Sequence, residues 1–273
     1  MRKWSGPADL TTIFLTILNF IIMKQKSFMR IKSGSLGEIT FVGSKDGYRL
    51  QEKKEMNSGR FKTDPAFERV RELNSEFAVA ASACKVLRNV LKPVIKLAKD
   101  GRLVSRMQTV MLQVLKGDTI SNPGGRNPID GETWRLIGFE FNQDSKTTDI
   151  FHRAVPYTIN RVSGELAISI APFVPADYIV APSGVSHFEL VTAGVEVSFE
   201  QKTAVLDVKT TGLLPFTNVP TAAINAVVNV TPTTQQPVIL VFGIRFHVPI
   251  NNGTRPYLKG RHDAFRILGL TKV

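Results

Sequence analysis

The chain has 273 residues, 43% of them hydrophobic and 21% charged, which suits one or two folded domains and argues against wholesale disorder. Its formal net charge is +12, and almost all of the excess lies in the front: residues 1–120 hold 22 Lys and Arg against 11 Asp and Glu, residues 121–273 hold 13 against 12. A lone cysteine, Cys84, excludes an intrachain disulfide and a thiolate zinc site.

Arg2 and Lys3 precede an apolar run, Ile13–Met23, that is shorter than the roughly 20 residues needed to span a bilayer. The following KQKSFMRIKSGS has no small-residue cleavage site. Residues 1–28 therefore read in either of two ways. They are mis-assigned sequence upstream of a start at Met23 or Met29, which favours a cytoplasmic location, or they hold a short hydrophobic anchor or signal within residues 10–23. Next, Ile39, Phe41, Tyr48 and Leu50 alternate with polar neighbours around Gly43-Ser-Lys-Asp-Gly47, which predicts a β-hairpin over 37–54 with a five-residue connection. Gly34 and Gly37 lack phosphate-loop spacing and read as turn glycines.

From Asp64 the period changes. Asp64-Pro65 is a helix start, an N-cap followed by proline at the first helical position. Phe67, Val70, Phe77, Ala80, Cys84, Leu87, Leu91, Val94 and Ile95 then recur at helical spacing, with Cys84 read as a buried small hydrophobe. Pro93 predicts a kink or a split, because it lacks the amide proton for the bond to Asn89. Lys99-Asp-Gly101 makes a turn, and a second amphipathic stretch from Leu103 to Leu115 stops at Gly117. The pair reads as a helical hairpin.

SNPGGRNPIDGE at 121–132 is crowded with turn formers and is read as a domain boundary. Strand patterns follow at 134–141, 151–159, 166–170, 187–192, 195–199, 203–208, 223–230, 238–248 and 264–271. That spacing suggests an antiparallel sandwich. Two Pro-flanked apolar segments, Pro172–Pro175 and Tyr178–Pro182, read as loop packing, or as assembly contacts if exposed.

Lys85, Arg88, Lys92, Lys96 and Lys99 fall at steps of three and four and share a helix arc of roughly 80°, with no acidic residue between Glu76 and Asp100. This stripe is the candidate polyanion-binding surface; the plainer account is a solvated lysine-rich face covering the edge of the core. His152, His187, His247 and His262 show no metal or catalytic spacing. Glu132, Glu140, Asp144 and Asp149 lie in or beside turns, and no serine sits in a GxSxG elbow. No catalytic or metal residue and no cofactor is assigned.

The stretches IKSGSLGEITFVGSKDGYR (31–49), TDPAFERVRE (63–72), NPIDGE (127–132) and GFEFN (138–142) resemble an uncharacterised family from Bacteroidota genomes, over about residues 29–273. The resemblance implies a hairpin, a basic helical segment and a β-rich remainder. It implies no activity.

The expected fold is α+β: an N-terminal β-hairpin and helical hairpin at 29–120, then an antiparallel immunoglobulin-like β-sandwich at 121–273. The expected function is that of a non-enzymatic structural or interaction protein of a mobile-element, virion or cell-surface assembly, with a protein partner or self-assembly. The alternative is nucleic-acid binding through the basic helix. Membrane contact is expected only if residues 10–23 are a real anchor.

Overall fold

A computed structural model describes residues 34–36, 39–44, 47–52, 58–96, 98, 100–251, 253–257 and 261–272; the apolar run at 10–23 and Lys99 lie outside these. The chain divides between Asp64 and Pro65 into two units. In the first, β1 (Gly34–Leu36), β2 (Ile39–Ser44) and β3 (Gly47–Glu52) form an antiparallel sheet in that order. The β2–β3 register runs from Ile39 opposite Glu52 to Ser44 opposite Gly47, so the predicted hairpin forms with a connection shorter than five residues. Gly34, read as a turn residue, lies in a strand that pairs with β2. The short helix α1 (Ser58–Thr63) follows.

The second unit opens with a 3-10 turn, Pro65–Phe67, that leads into α2 (Glu68–Val90). Pro65 starts the helical run as expected, but α2 has no side-chain cap, and Asp64 accepts from Arg60 Nε at 2.7 Å. Pro93 splits the helix as predicted: α2 ends before Leu91 and α3 (Lys92–Ile95) continues beyond it. Then comes α4 (Leu103–Lys116), whose Gln108 Nε2 donates to Phe77 O at 3.0 Å. Gly117 ends α4 with φ −75°, an ordinary helical value. A glycine is needed there for space, because an added Cβ would lie 2.8 Å from Glu132 Cδ.

The β part comprises β4 (Tyr157–Asn160), β5 (Glu165–Ile170), β6 (His187–Ser198), β7 (Thr203–Thr210), β8 (Leu214–Pro215), β9 (Ile224–Asn229), β10 (Val238–Ile250), β11 (Gly253–Pro256) and β12 (Ala264–Thr271). All pairings are antiparallel. β10 is central, flanked by β6 on one side and by β12 and β11 on the other; β7 and β8 pair with the far side of β6, and β4-β5-β9 form a separate sheet. The predicted central strand at 238–248 and the strands of β5, β7, β9 and β12 are present. The expected strands at 187–192 and 195–199 are one continuous strand, β6, and within 151–159 only Tyr157–Ile159 belong to a strand, with Phe151 making an isolated bridge to Ile179.

Side-chain alternation sorts the core into two clusters, one on each face of the larger sheet. Val238, Leu240, Phe242, Ile244 and Phe246 of β10 face a cluster with Phe188 and Leu190 of β6 and with Leu166, Ile168, Ile170 and Val228 of the smaller sheet. Ile239 and Val241 of β10, Val191, Ala193, Val195 and Val197 of β6, and Phe265 and Ile267 of β12 face α2, α3 and α4. The larger sheet is thus a middle layer, with helices on one face and a sheet on the other. Each fully buried Leu, Ile or Phe in it contributes about 2 kcal/mol. The smaller sheet packs tightly over Gly194, where a Cβ would lie 2.9 Å from Val228 Cγ2. Side chains tie the sheets together at their margins: Asp207 accepts from Asn229 N at 2.9 Å, and Arg161 donates to Thr271 O and Gln236 O, each at 3.1 Å.

Three expectations are corrected. The expected division at residue 120 does not follow the packing, because helices before it and strands after it share one buried cluster. The 121–132 segment is a pinned loop. Asp118 accepts from Ile120 N and Ser121 N at 2.9 Å and from Asn127 N at 3.1 Å; Glu76 accepts from Gly124 N at 3.1 Å and pairs with Arg126 at 3.4 Å. Its turn-forming composition serves Asx-type turns, with Asn127 Oδ1 accepting from Ile129 N and Asp130 N, each at 2.9 Å. Finally, 134–141 is not a strand: Thr133–Leu136 is a 3-10 turn, and only Glu140 bridges to Arg266. The Pro-flanked segments flank the short helix α6 (Pro175–Tyr178), preceded in the chain by α5 (Thr147–Ile150), and bury Phe173 and Ile179 as ordinary packing.

Candidate interaction face

Helix α2 bears a continuous 3-4 seam: Val70, Leu73, Phe77, Ala80, Cys84, Leu87 and, one residue past its end, Leu91. Its second half is buried, and burial pushes the Cys84 thiol up to about 12, as suits an inert packing residue. Its first half emerges from the core. Val70, Leu73 and Phe77 are 43%, 44% and 55% exposed although they continue the same stripe. This half is fastened through a different face, by Glu76 to Gly124 N and by Ser75 Oγ to Gly124 O at 2.7 Å.

The cationic stripe starts on the second half of α2 and passes across the break at Pro93 onto α3. Lys85, Lys92 and Lys96 are exposed, and Arg88 is half-buried with Nε donating to Cys84 O at 3.3 Å. None of the four enters an ion pair among the described residues. At about 100° per residue, Arg88 stands at the azimuth of Val70, so one outward face is apolar for its first turns and cationic for its last. Lys99 lies outside the described residues.

Beside the stripe runs a groove of about 450 Å³, lined by Ser82, Lys85, Val86, Asn89 and Val90 of α2 and by Lys202 and Ala204. Lys202 turns the chain from β6 into β7 with a left-handed φ of 57°. Sequence reasoning did not find Lys202, Ser82 or Asn89. Their meeting depends on α2 packing over β7, a contact with no local signature.

Two of the four histidines come together. His187 and His247 are register partners on β6 and β10, and Glu189 lies 3.5 Å from Arg245 and 3.8 Å from His247 Nε2. Arg245 also donates to Val94 O at 3.1 Å, tying α3 to the sheet. Nearby Asp263 accepts from Phe246 N at 3.0 Å. Burial pushes the Asp263 carboxyl up to about 6 from 3.8; the Phe246 N–H and Arg245 oppose this and Glu189 adds to it. A raised carboxyl binds its proton more tightly when folded, so its contribution is complete below the ordinary value and is lost as pH rises to about 6. Asp263→Asn is therefore expected to raise the melting temperature at pH 7.5 and to lose that advantage below about pH 4, as checked by melting curves across pH.

The remaining candidates do not converge. Glu132 pairs with Arg135, Glu140 accepts from Thr147 N at the start of α5, and Asp149 accepts from Thr148 Oγ1. Among the described residues no group of three His, Cys, Asp or Glu could hold a metal ion, and no helix is long and apolar enough to cross a membrane. The chain matches no family model, no curated protein and no solved structure.

Proposed function

We propose that this chain is a non-enzymatic interaction protein that docks a protein partner, or a second copy of itself, on the outer face of α2. The observation behind this reading is the apolar seam of Val70, Leu73 and Phe77, which leaves the core and stays exposed on a well-formed helix. Apolar stripes at this spacing are stable only when another surface covers them. Membership of a mobile-element, virion or cell-surface assembly belongs to the same proposal, as does the likeness to the Bacteroidota family. The two packed sheets support a sandwich description of the β part, and the immunoglobulin-like assignment stays within the proposal.

Size-exclusion chromatography with light scattering, paired with a pull-down, tests the reading. The native chain is expected to self-associate or retain a partner. Phe77→Glu is expected to weaken that association at least about tenfold without lowering the melting temperature, as for an anchor at the centre of an interface. A strict monomer that retains nothing would overturn it. A second reading, nucleic-acid contact, rests on the unpaired Lys85, Lys92 and Lys96. It requires DNA binding that weakens steeply with salt and is lost when these residues and Arg88 become Glu.

A further inference from the structure

We infer that the groove between α2 and the outer edge of β7 binds an extended, acidic peptide strand, added to the sheet beside β7. The inference concerns a different surface from the seam of Val70, Leu73 and Phe77, and goes beyond the reading built on it.

β7 pairs with β6 along its whole length, from Ser198 opposite Thr203 to Val191 opposite Thr210. No backbone partner exists on its outer side among the described residues. Such an edge offers a ladder of free N–H and C=O groups to an incoming strand. Ala204, Leu206 and Val208 face the helices, while Val205 on the other face is 51% exposed. The edge therefore leaves Val205 exposed on one face, while Ala204, Leu206 and Val208 on the other are partly covered by the helices.

Charge selects the occupant. Lys85 and Lys202 stand on opposite walls of the groove, Ser82 and Asn89 add neutral polar groups, and Val86, Val90 and Ala204 form an apolar floor. None of these four polar side chains makes a hydrogen bond or ion pair within the described residues. The β7 carboxylate, Asp207, is already committed to Asn229 N. A second copy pairing through the same edge in the register that sets Lys202 opposite Lys209 would bring like charges together, which disfavours that self-pairing. An acidic strand meets opposite charge at both walls. The groove has no aromatic side chain on which a nucleobase would stack.

The test uses the full chain and a fluorescein-labelled peptide of eight alternating Glu and Val residues, the length of β7. Binding is read by anisotropy at low salt and at about 0.15 M salt, and hydrogen exchange reports on residues 203–210. The peptide is expected to bind, to protect the β7 amides, and to lose at least tenfold in affinity against Lys85→Glu/Lys202→Glu. Both positions are exposed, so the variant is expected to fold, and a melting curve confirms it; Lys85→Ala/Lys202→Ala gives a milder second reading. Phe77→Glu is expected to leave this binding unchanged, which separates failure here from failure of the seam. The inference is overturned by no binding at low salt, by equal binding of a Glu-Gly peptide with the same charge but little strand preference, or by indifference to the charge reversal. Equal competition by single-stranded or duplex DNA also overturns it, in favour of a nucleic-acid surface.

Discussion

Gly243→Ala is expected to destabilise the fold by about 3 kcal/mol or more, seen as a lower urea midpoint with little change in slope. Gly243 sits at the middle of β10, paired with Val191 on one side and Phe265 on the other. A Cβ there would lie 2.6 Å from Ala264 O and 2.6 Å from Phe265 Cε1. The carbonyl belongs to a paired strand and cannot swing away, and the ring is fully buried under the helices. Phe265 also lies beneath the Arg245 guanidinium, 5.4 Å from the ring centre, so moving it disturbs the tie to Val94. A loss under 1 kcal/mol would show that this layer is looser than its packing implies.

Asp118→Ala is expected to cost roughly 3 kcal/mol, because one carboxylate satisfies three backbone donors and hydrogen bonds to charged groups are individually strong. Burial pushes the Asp118 carboxyl up, but the N–H groups of Ser121 and Asn127, the Ser121 hydroxyl and the Ile120 N–H outweigh it and hold the group down at about 2, from 3.8. A depressed carboxyl stabilises the fold fully above its ordinary value, and the contribution fades as pH falls from there through about 2. Asp118→Asn should therefore flatten the acid limb of the stability profile between about pH 4 and pH 2, as read by urea titrations at each pH. An unchanged acid limb would assign the acid sensitivity to other carboxylates. This acid limb and the Asp263 effect run in opposite directions and are separable by single and double substitution.

The strands were legible wherever one face is buried and the other is not. Leu166, Ile168 and Ile170 alternate because β5 turns one face to the core, and Val238–Val248 begins as a solid apolar run because β10 is covered on both sides. The seam of α2 was equally plain except at Leu73, and so was the break at Pro93. Which half of the seam is covered was not, since that depends on where the sheet lies beneath the helix. Trp134-Arg135-Leu136 read as a strand because short apolar runs have no period of their own; the Ile137 amide closing a turn on Trp134 O decides the matter. The cations of α2 and α3 were visible in sequence, whereas the opposite wall at Lys202 was hidden by distance along the chain. Residues 121–132 read as a domain boundary because turn chemistry has the same composition whether a loop links two domains or is fastened to one.

The fastening of that loop has a consequence for synthesis on the ribosome. Lys272 Nζ donates to Ile129 O at 2.8 Å and to Gly131 O at 2.7 Å, and Phe265 and Ile267 complete the layer beneath the helices. Helices α2, α3 and α4 cannot complete their buried layer until Phe265 and Ile267 have left the exit tunnel. Nascent chains should therefore stay protease-sensitive until residues 265–272 have emerged and then acquire resistance, as expected where contacts are dominated by partners remote in sequence.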